Sequence, residues 1–277
     1  MSTRWFNPGG AIIDDGGYSV WADCAFNDAP GSTAGLTKLG SGTLNLTATN
    51  TYTGTTVVSN GTLVANSLAG GVTVESGATL LSASSVAGPV AVASGGTLGG
   101  NAGIGTENFN NTLTLASGST TFAEITPASN DQIAGLTGVT YGGSLIVSNI
   151  SSSPLTAGSQ YKLFNSSSPG SGNFTSVTLL PVGTATFNPS TGILTITSSG
   201  VAPTFNHFYY SNGNLVVTAT GGTPSANLVL LSTTNLLTPI PNWTTNYTGA
   251  FDINGNFSNN VPINTANKAM FFLLKAQ

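Results

Sequence analysis

Short alternating runs of apolar and polar residues, separated by turn residues, extend along most of this chain. In residues 36–65, LTKLGSGTLNLTATNTYTGTTVVSNGTLVA, the pattern predicts three strands joined by turns that contain Gly or Asn-Gly. β-Branched runs bounded by Gly follow at residues 72–74 and 90–92. No segment shows the 3.6-residue period of a helix of useful length, so the pattern predicts an all-β protein.

A Thr-Leu pair that follows a glycine, directly or after one alanine, recurs through the first part of the chain. The leucines of these pairs are 19, 17 and 18 residues apart, and they are Leu44, Leu63, Leu80 and Leu98. A drifting period of this size predicts a β-solenoid with one coil per repeat. In such a stack the leucines form one internal ladder, and the preceding threonines form an outward one: Thr43, Thr62, Thr79 and Thr97.

The repeat changes its length towards the middle of the chain. We expect tight coils over residues 36–101 and wider coils over 102–199, because the strand candidates become more widely spaced. The spacing from Leu98 to Phe122 to Leu145 is 24 and then 23 residues, which is consistent with wider coils. The solenoid is therefore predicted to span residues 36–199.

The two ends of the chain differ from the repeats. Residues 1–35 hold two of the three tryptophans and four acidic residues, and we interpret them as an N-terminal cap or assembly segment. Residues 200–277 lose the repeat and gain aromatic residues, which predicts a small β-sandwich. The dipeptides Asn212-Gly213 and Asn254-Gly255 indicate two-residue hairpins within it.

Composition narrows the class of protein. Charged residues make up only 5% of the chain, and the formal net charge is −4. Scattered basic residues argue against nucleic acid and anionic membrane surfaces as partners. No apolar run approaches the roughly 20 residues of a spanning helix, so no transmembrane segment is predicted. Cys24 is alone and cannot form an intrachain disulfide. This composition is typical of a secreted all-β protein.

A family resemblance adds to this picture. The run from Leu36 to Leu44, LTKLGSGTL, is followed by NTYTGTTV from Asn50 and by Gly61-Thr62-Leu63. Together these residues closely resemble the autotransporter-associated β-strand repeat. The resemblance implies a right-handed parallel β-helix that is displayed outside a bacterial cell. Residues 102–199 resemble the segment that often closes such arrays, and the end of the chain resembles a small β domain of large secreted bacterial surface proteins.

An enzyme is the alternative that the fold invites, because polysaccharide lyases and hydrolases use β-helices. A hydrolase needs two carboxylates that face one groove, and the acidic residues that come closest to this are Glu107, Glu124 and Asp131. We interpret these three as solvated turn residues, and the single histidine, His207, as a packed or surface side chain. The sequence therefore predicts a protein that is not an enzyme and needs no cofactor, with a polysaccharide lyase or hydrolase as the alternative.

Two further sets of residues are candidates for ligand binding. Asp14 and Asp15 could offer oxygen ligands to Ca²⁺, but their spacing does not match an EF-hand, and no metal site is predicted. Four aromatic residues near the C-terminus could stack on sugars, although a sandwich core is the more common use of such residues. They are Tyr209, Tyr210, Trp243 and Tyr247.

We therefore expect an extracellular, bacterial structural or surface protein whose main partner is itself. A solenoid has open strand edges, so copies can associate end to end into a fibre or surface layer by strand addition and apolar contacts, with adhesion as a consequence. The assembly candidates are Trp5, Phe6, Trp21, Phe271, Phe272 and Leu273. The alternative is a carbohydrate-binding or carbohydrate-processing module with a cell-surface or matrix polysaccharide as its partner.

Overall fold

The computed structural model describes residues 3–100, 102–199, 203–222, 225–262 and 269–276. The chain forms two compact units, one of residues 1–180 and 184–198 and one of residues 181–183 and 199–277. The described elements are β-strands and one 3₁₀ turn, Ile240–Asn242, which confirms the predicted all-β class.

The first unit is a β-solenoid whose coils stack as parallel strands. One face is an eight-stranded sheet. Its strands, in stacking order, are β2 (Ala11–Asp14), β5 (Leu36–Leu39), β7 (Thr56–Val58), β9 (Val72–Val74), β11 (Val90–Val92), β14 (Thr112–Leu115), β17 (Gly138–Tyr141) and β21 (Ser171–Gly172).

An eleven-stranded sheet supplies the other two faces. Its second-face strands are β3 (Ser19–Ala22), β6 (Thr43–Asn50), β8 (Gly61–Leu68), β10 (Ala78–Val86), β12 (Thr97–Leu98), β15 (Thr120–Ile125), β18 (Ser144–Asn149) and β22 (Ser176–Leu180). The long strands β6, β8 and β10 shift register midway and continue onto the third face. There the sheet extends through β13 (Thr106–Phe109), β16 (Gln132–Leu136) and β20 (Phe164–Ser166). A separate parallel pair, β1 (Thr3–Phe6) and β4 (Ala25–Asp28), lies beside the end of β6.

The four repeat leucines lie directly over one another inside the solenoid. Leu63 pairs with Leu44 and Leu80, and Leu80 pairs with Leu98. All four side chains are buried. The threonines before them pair in the same order and are partly exposed, since adjacent residues of a strand point to opposite faces.

Beyond Leu98 the ladder position is occupied by Thr121 and not by its large neighbour Phe122. Leu98 pairs with Thr121, and Thr121 pairs with Leu145, so a buried threonine occupies the ladder position. Phe122 pairs with Ile146 on the outward face and is half-buried. The register is set by Thr120, which stacks on Thr97, and a difference of one residue moves a side chain to the other face.

The far end of the solenoid core is closed by aromatic rings. Phe164, Phe174 and Phe187 surround Tyr141 with ring centroids 4.9–5.3 Å from its own. An antiparallel sheet lies at this end of the unit. Its strands are β19 (Gln160–Lys162), β24 (Ile193–Ser199) and β23 (Gly183–Asn188).

The second unit consists of two three-stranded antiparallel sheets with one shared apolar core. The first sheet contains β25 (Thr204–Ser211), β26 (Asn214–Thr220) and β29 (Phe257–Pro262). The second contains β27 (Asn227–Thr233), β28 (Thr244–Ala250) and β30 (Phe271–Ala276). Residues of both sheets form the core, including Val217, Leu230 and Phe257. This arrangement is the predicted small β-sandwich.

One of the two hairpins predicted here is present. Asn212 and Gly213 have positive φ angles of 50° and 80° and join the paired strands β25 and β26. Asn254-Gly255 does not form a hairpin, because β28 and β29, on either side of it, belong to different sheets. The Asp252 carboxylate organises that turn by accepting the backbone N–H groups of Asn254 and Asn256 at 2.8 and 2.7 Å.

Candidate assembly surface at the first coil

The segment predicted as a separate N-terminal cap or assembly segment is built into the solenoid as its first coil. Strand β2 pairs with β5, β3 pairs with β6, and β1 pairs with β4, each in parallel. We call residues 3–22, which form β1, β2 and β3, the first coil. Among the described residues, no strand pairs with the outer edges of these three strands.

The hydrogen-bond pattern identifies the backbone groups at this open edge. The N–H groups of Ala11 and Asp15 donate to the second coil, to the Gly35 and Leu39 carbonyls at 2.9 and 3.5 Å. Successive residues of a strand direct their backbone groups to opposite sides, so those of Ile12, which lies between them, face away from the stack.

The hydrogen bonds of β3 and β1 identify the backbone groups at the open edge of the other two faces. On β3, the Tyr18 carbonyl accepts the Thr43 N–H at 3.1 Å, so the backbone groups of Trp21 face the open edge. On β1, the Phe6 carbonyl accepts the Ala29 N–H at 2.9 Å, so those of Trp5 do the same. Each face of the first coil therefore presents N–H and C=O groups to the open edge, and Trp5, Ile12 and Trp21 are among the residues that carry them.

These three residues also expose large apolar side chains. Trp5 is 60%, Ile12 70% and Trp21 62% exposed. Tyr18, in the turn between β2 and β3, is 75% exposed. Four inward-facing residues of the first coil pack on the core but remain partly exposed: Ala11, Ile13, Val20 and Ala22. The first coil is thus an open apolar end with unpaired strand edges, which is the arrangement that accepts further strands.

A buried ion pair fixes this coil to the repeat. The Lys38 ammonium group lies 2.5 Å from Asp15 Oδ2, and neither side chain is accessible to solvent. Lys38 Nζ also donates to the carbonyls of Leu39, Gly40 and Asn60 at 3.0, 2.9 and 3.0 Å. Asp15, the pair Leu39 and Gly40, and Asn60 lie at the same turn of three successive coils. Lys38 therefore links all three coils.

The Asp15 carboxylate is held as an anion in this turn. Its Oδ1 accepts the backbone N–H groups of Gly17 and Gly42, both at 2.9 Å. Burial raises the pKa of Asp15, but the hydrogen bonds from Lys38, Gly17 and Gly42 outweigh burial and lower it. The charges of Lys38 and Asp15 therefore compensate each other inside the corner.

Other residues of the repeat contact β1 and β4, which belong to the N-terminal part of the chain. Asn50 Oδ1 accepts the Phe26 N–H at 3.1 Å, and the ring of Tyr52 lies 5.1 Å from that of Phe6. Asp28 Oδ2 accepts the N–H and hydroxyl of Thr53 at 2.8 and 2.6 Å. Of the N-terminal assembly candidates, Phe6 is accordingly buried, whereas Trp5 and Trp21 are exposed.

Comparison with known proteins identifies the repeat in residues 36–65. Residues 36–65 match the family described as Passenger-associated-transport-repeat. The match confirms the predicted resemblance: the chain contains a repeat of the autotransporter passenger type, which supports a secreted, surface-type protein. A search among curated proteins found no match to this chain.

The C-terminal assembly candidates lie elsewhere and in a different environment. Phe271, Phe272 and Leu273 are on β30, which pairs with β27. All three are half-buried, and Phe272 packs against the sandwich core. Phe272 is thus used within the second unit, whereas Phe271 and Leu273 lie on the opposite side of the strand.

The four carbohydrate candidates are divided between the two sheets of the sandwich. Tyr209 and Tyr210 are neighbours on the edge strand β25, and both are more than half exposed. Trp243 is half-buried and donates its Nε1–H to the Thr238 carbonyl at 2.8 Å. Tyr247 stacks on Phe257 at 5.4 Å. Tyr209 and Tyr210 are therefore the exposed candidates, and as neighbours in a regularly paired strand their rings lie on opposite faces of the sheet.

The three carboxylates considered for catalysis do come together, but they hold backbone groups. Glu124 Oε2 accepts the Gly103 N–H at 2.7 Å, Asp131 Oδ1 the Gly105 N–H at 2.9 Å, and Glu107 Oε1 the Ala83 N–H at 3.0 Å.

The prediction that all three are solvated turn residues is wrong for Glu107 and Glu124, which lie on β13 and β15. Glu124 is only 5% exposed. Burial raises the pKa of Glu107 to about 7 and also raises that of Asp131. Glu107 and Asp131 line a groove of about 250 Å³.

The remaining candidates concern metals and membranes. Asp15, one of the two possible Ca²⁺ ligands, has both oxygens engaged, and Asp14 Oδ1 accepts the Gly16 N–H at 2.9 Å. Within the described ranges, no group of three or more acidic, His or Cys side chains is arranged to hold a metal ion. In the same residues there is no helix of the length and hydropathy needed to cross a membrane.

Sequence reasoning missed Ile12 and Tyr18 at the open edge and the pairing of Lys38 with Asp15. Ile12 begins an apolar pair, Ile12-Ile13, in which either residue could face outward. The Lys38–Asp15 pair joins residues 23 positions apart, and only the register of β2 on β5 brings them together. The available signal was a lysine two residues after Leu36, at a position that faces the same side of the strand as that buried leucine.

Proposed function

We propose that this protein is an extracellular structural subunit of a bacterial surface that self-associates through its first coil. The observation that supports this proposal is the coincidence of unpaired backbone groups and exposed apolar side chains at Trp5, Ile12 and Trp21. Unpaired strand edges favour strand addition, and exposed apolar side chains favour burial.

The energetics are consistent with association. Complete burial of one large apolar side chain contributes roughly 1.5–3 kcal/mol, and each face of the first coil offers one such side chain. Electrostatic repulsion between copies is weak, because only 5% of residues are charged and the net charge is −4. Strand pairing adds direction to the contact, since the backbone groups of two edges must match.

We propose no catalytic role for the three carboxylates, because each accepts a backbone N–H group. Glu107 accepts that of Ala83, Glu124 that of Gly103, and Asp131 that of Gly105. A carboxylate in this role positions a loop around the solenoid.

Adhesion to a polysaccharide is a second candidate function, favoured by the exposed pair Tyr209 and Tyr210. Each of these exposed rings offers a face on which a sugar can stack, and the two rings lie on opposite faces of the sheet. If this pair binds sugar, Tyr209→Ala/Tyr210→Ala abolishes binding on a glycan array, whereas the matched control Tyr18→Ala on the first coil leaves it unchanged. Equal binding by both variants would exclude these tyrosines.

Light scattering after size exclusion, together with electron microscopy, tests the main proposal. We expect Ile12→Lys/Trp21→Lys to abolish association, because it places charges on the apolar surface and leaves the backbone unchanged. The control Leu237→Lys/Ile253→Lys changes two side chains of the second unit that are at least as exposed, and it should associate like the wild type. A wild-type protein that stays monomeric at high concentration would contradict the proposal.

A further inference from the structure

We infer that the partner of the first coil is the first coil of a second copy, so that two solenoids meet head to head in a closed, twofold dimer. This inference rests on the self-association proposed above and specifies its partner and geometry. It follows from the difference between the two ends of the solenoid, from the direction of the edge strands and from the charges at the open end.

The two ends of the solenoid core differ in what they expose. At the first coil, Ile13 and Val20 face inward but remain partly exposed. At the other end, Tyr141 and Phe164 are buried within the aromatic cluster, and Phe174 and Phe187 of the same cluster are partly buried. Trp5, Ile12 and Trp21 are 60–70% exposed, whereas Leu180 on the outermost strand β22 of the other end is 42% exposed. A contact between two first coils therefore buries larger exposed apolar side chains and uses the same surface on each copy.

The edge strands are compatible with this geometry. A twofold axis perpendicular to the solenoid reverses the direction in which the second copy's coil runs, so the facing strands are antiparallel. Antiparallel strands pair through N–H and C=O groups of alternate residues, and the first coil offers such groups at Trp5, Ile12 and Trp21. Each of these residues can thus pair by its backbone while its side chain packs over the junction.

The charges of the first coil do not oppose such a contact. Residues 3–22 contain Arg4, Asp14 and Asp15 as their charged side chains. Asp15 is neutralised by Lys38, which leaves one cation and one anion at the open end. A symmetric contact of this end with itself therefore joins two surfaces of zero net charge, and Arg4 of one copy can approach Asp14 of the other.

A symmetric contact has a consequence for assembly. A contact between two different surfaces can repeat without limit and produces fibres, whereas a contact that uses the same surface twice is complete at two copies. The first coil alone therefore yields a dimer and not a fibre, and longer assemblies require a second surface.

A proline at Ile12 tests the strand pairing. The N–H of Ile12 faces the open edge, so Ile12→Pro removes a donor for the partner without removing a hydrogen bond of the solenoid. The variant Ile12→Lys/Trp21→Lys provides a second test in which the backbone is unaltered. Circular dichroism and thermal unfolding verify that each variant is folded before its association is measured.

A mixing experiment then separates the two geometries. Tagged wild-type protein is mixed with an excess of each untagged protein at low concentration, concentrated and captured by the tag. In the head-to-head dimer both first coils are needed, so capture of either folded variant falls at least tenfold relative to untagged wild type.

In a head-to-tail contact the variants keep an intact tail, and the wild-type first coil captures them. Capture of the variants at the wild-type level would overturn the head-to-head geometry while self-association stands. Failure of untagged wild type to be captured would overturn both proposals.

Discussion

Lys38 Nζ lies 2.5 Å from Asp15 Oδ2 in the interior of a corner where three coils of the solenoid stack. The ammonium group takes its other acceptors from the Leu39, Gly40 and Asn60 carbonyls. A lysine in a parallel β-stack is compatible with burial because turns at a corner leave carbonyl groups that strands do not use. The pair attaches the first coil to the transport repeat and so supports the open edge above it.

Removal of Lys38 should destabilise the solenoid strongly. Lys38→Met leaves the Asp15 carboxylate buried without its cation and three carbonyls without a donor, so we expect a loss of about 3–5 kcal/mol in the free energy of unfolding. Chemical denaturation measures this loss. The control Lys162→Met changes a partly exposed lysine of the same unit and should cost less than about 1 kcal/mol.

The two partners of the ion pair should behave as one unit. Because Asp15→Asn in the Lys38→Met background removes the uncompensated charge, the double variant should be more stable than the sum of the single losses predicts. A coupling energy of about 1–3 kcal/mol is expected from the double-mutant cycle. Additive losses would show that the two side chains act independently.

Stability should depend on pH through Glu107. Its pKa rises from 4.5 to about 7 in the folded protein because the side chain is partly buried. The native state therefore binds the proton more tightly than the unfolded state, and the free energy of unfolding falls as the pH rises from about 4.5 through about 7.

We expect a change of about 1–2 kcal/mol from Glu107, less than the full shift implies, because solvent screens the partly exposed carboxylate. Glu107→Gln keeps an acceptor for the Ala83 N–H, so it should flatten this part of the profile and be more stable than the wild type at pH 8. Identical pH profiles for the two proteins between pH 5 and 8 would refute the assignment.

The buried threonine in the leucine ladder offers a stabilising substitution. Thr121 Oγ1 is buried without a hydrogen-bond partner, and Val has nearly the same shape. Thr121→Val should therefore raise the free energy of unfolding by about 1 kcal/mol. Thr97→Val, at a partly exposed ladder position, is the control and should change stability by less than about 0.5 kcal/mol. A destabilised Thr121→Val would mean that the hydroxyl is satisfied.

The ladder itself can be tested at its centre. Leu63 lies between Leu44 and Leu80 and is fully buried, so Leu63→Ala should cost about 2–5 kcal/mol through lost burial and the cavity that remains. Thr62→Ala, the adjacent outward residue, should cost much less. Similar losses for the two substitutions, measured by denaturant unfolding, would contradict the assignment of Leu63 to the core and Thr62 to the outward face.

The sequence was sufficient for those parts of the fold that repeat. The Gly-Thr-Leu spacing fixed the ladder from Leu44 to Leu98, because each copy of the motif carries the same inward and outward positions. The spacing does not extend the ladder beyond Leu98, because Thr120 and Thr121 in succession give no alternation that would show which of them faces inward. The first coil lacks the motif, so its register on β5 and β6 was not apparent.

The candidate surface could be predicted only in part. Trp5 and Trp21 were identified from their size and position, but whether a strand residue faces inward depends on register. Phe6 was therefore grouped with them although it is buried against Tyr52. The Lys38–Asp15 pair depends on contacts between coils, which a linear pattern does not contain. The backbone direction that gives Ile12 its importance likewise follows only from the hydrogen bonds to the second coil.

Hydrogen exchange as a function of protein concentration tests the assembly surface most directly, because it measures the backbone groups on which the account depends. At low concentration the amides of Trp5, Ile12 and Trp21 should exchange rapidly, since their N–H groups face the open edge. At concentrations where the protein associates, exchange at these amides should slow at least tenfold, while amides of the loop around Ile253 remain unchanged. Association without added protection at these three residues would contradict the account.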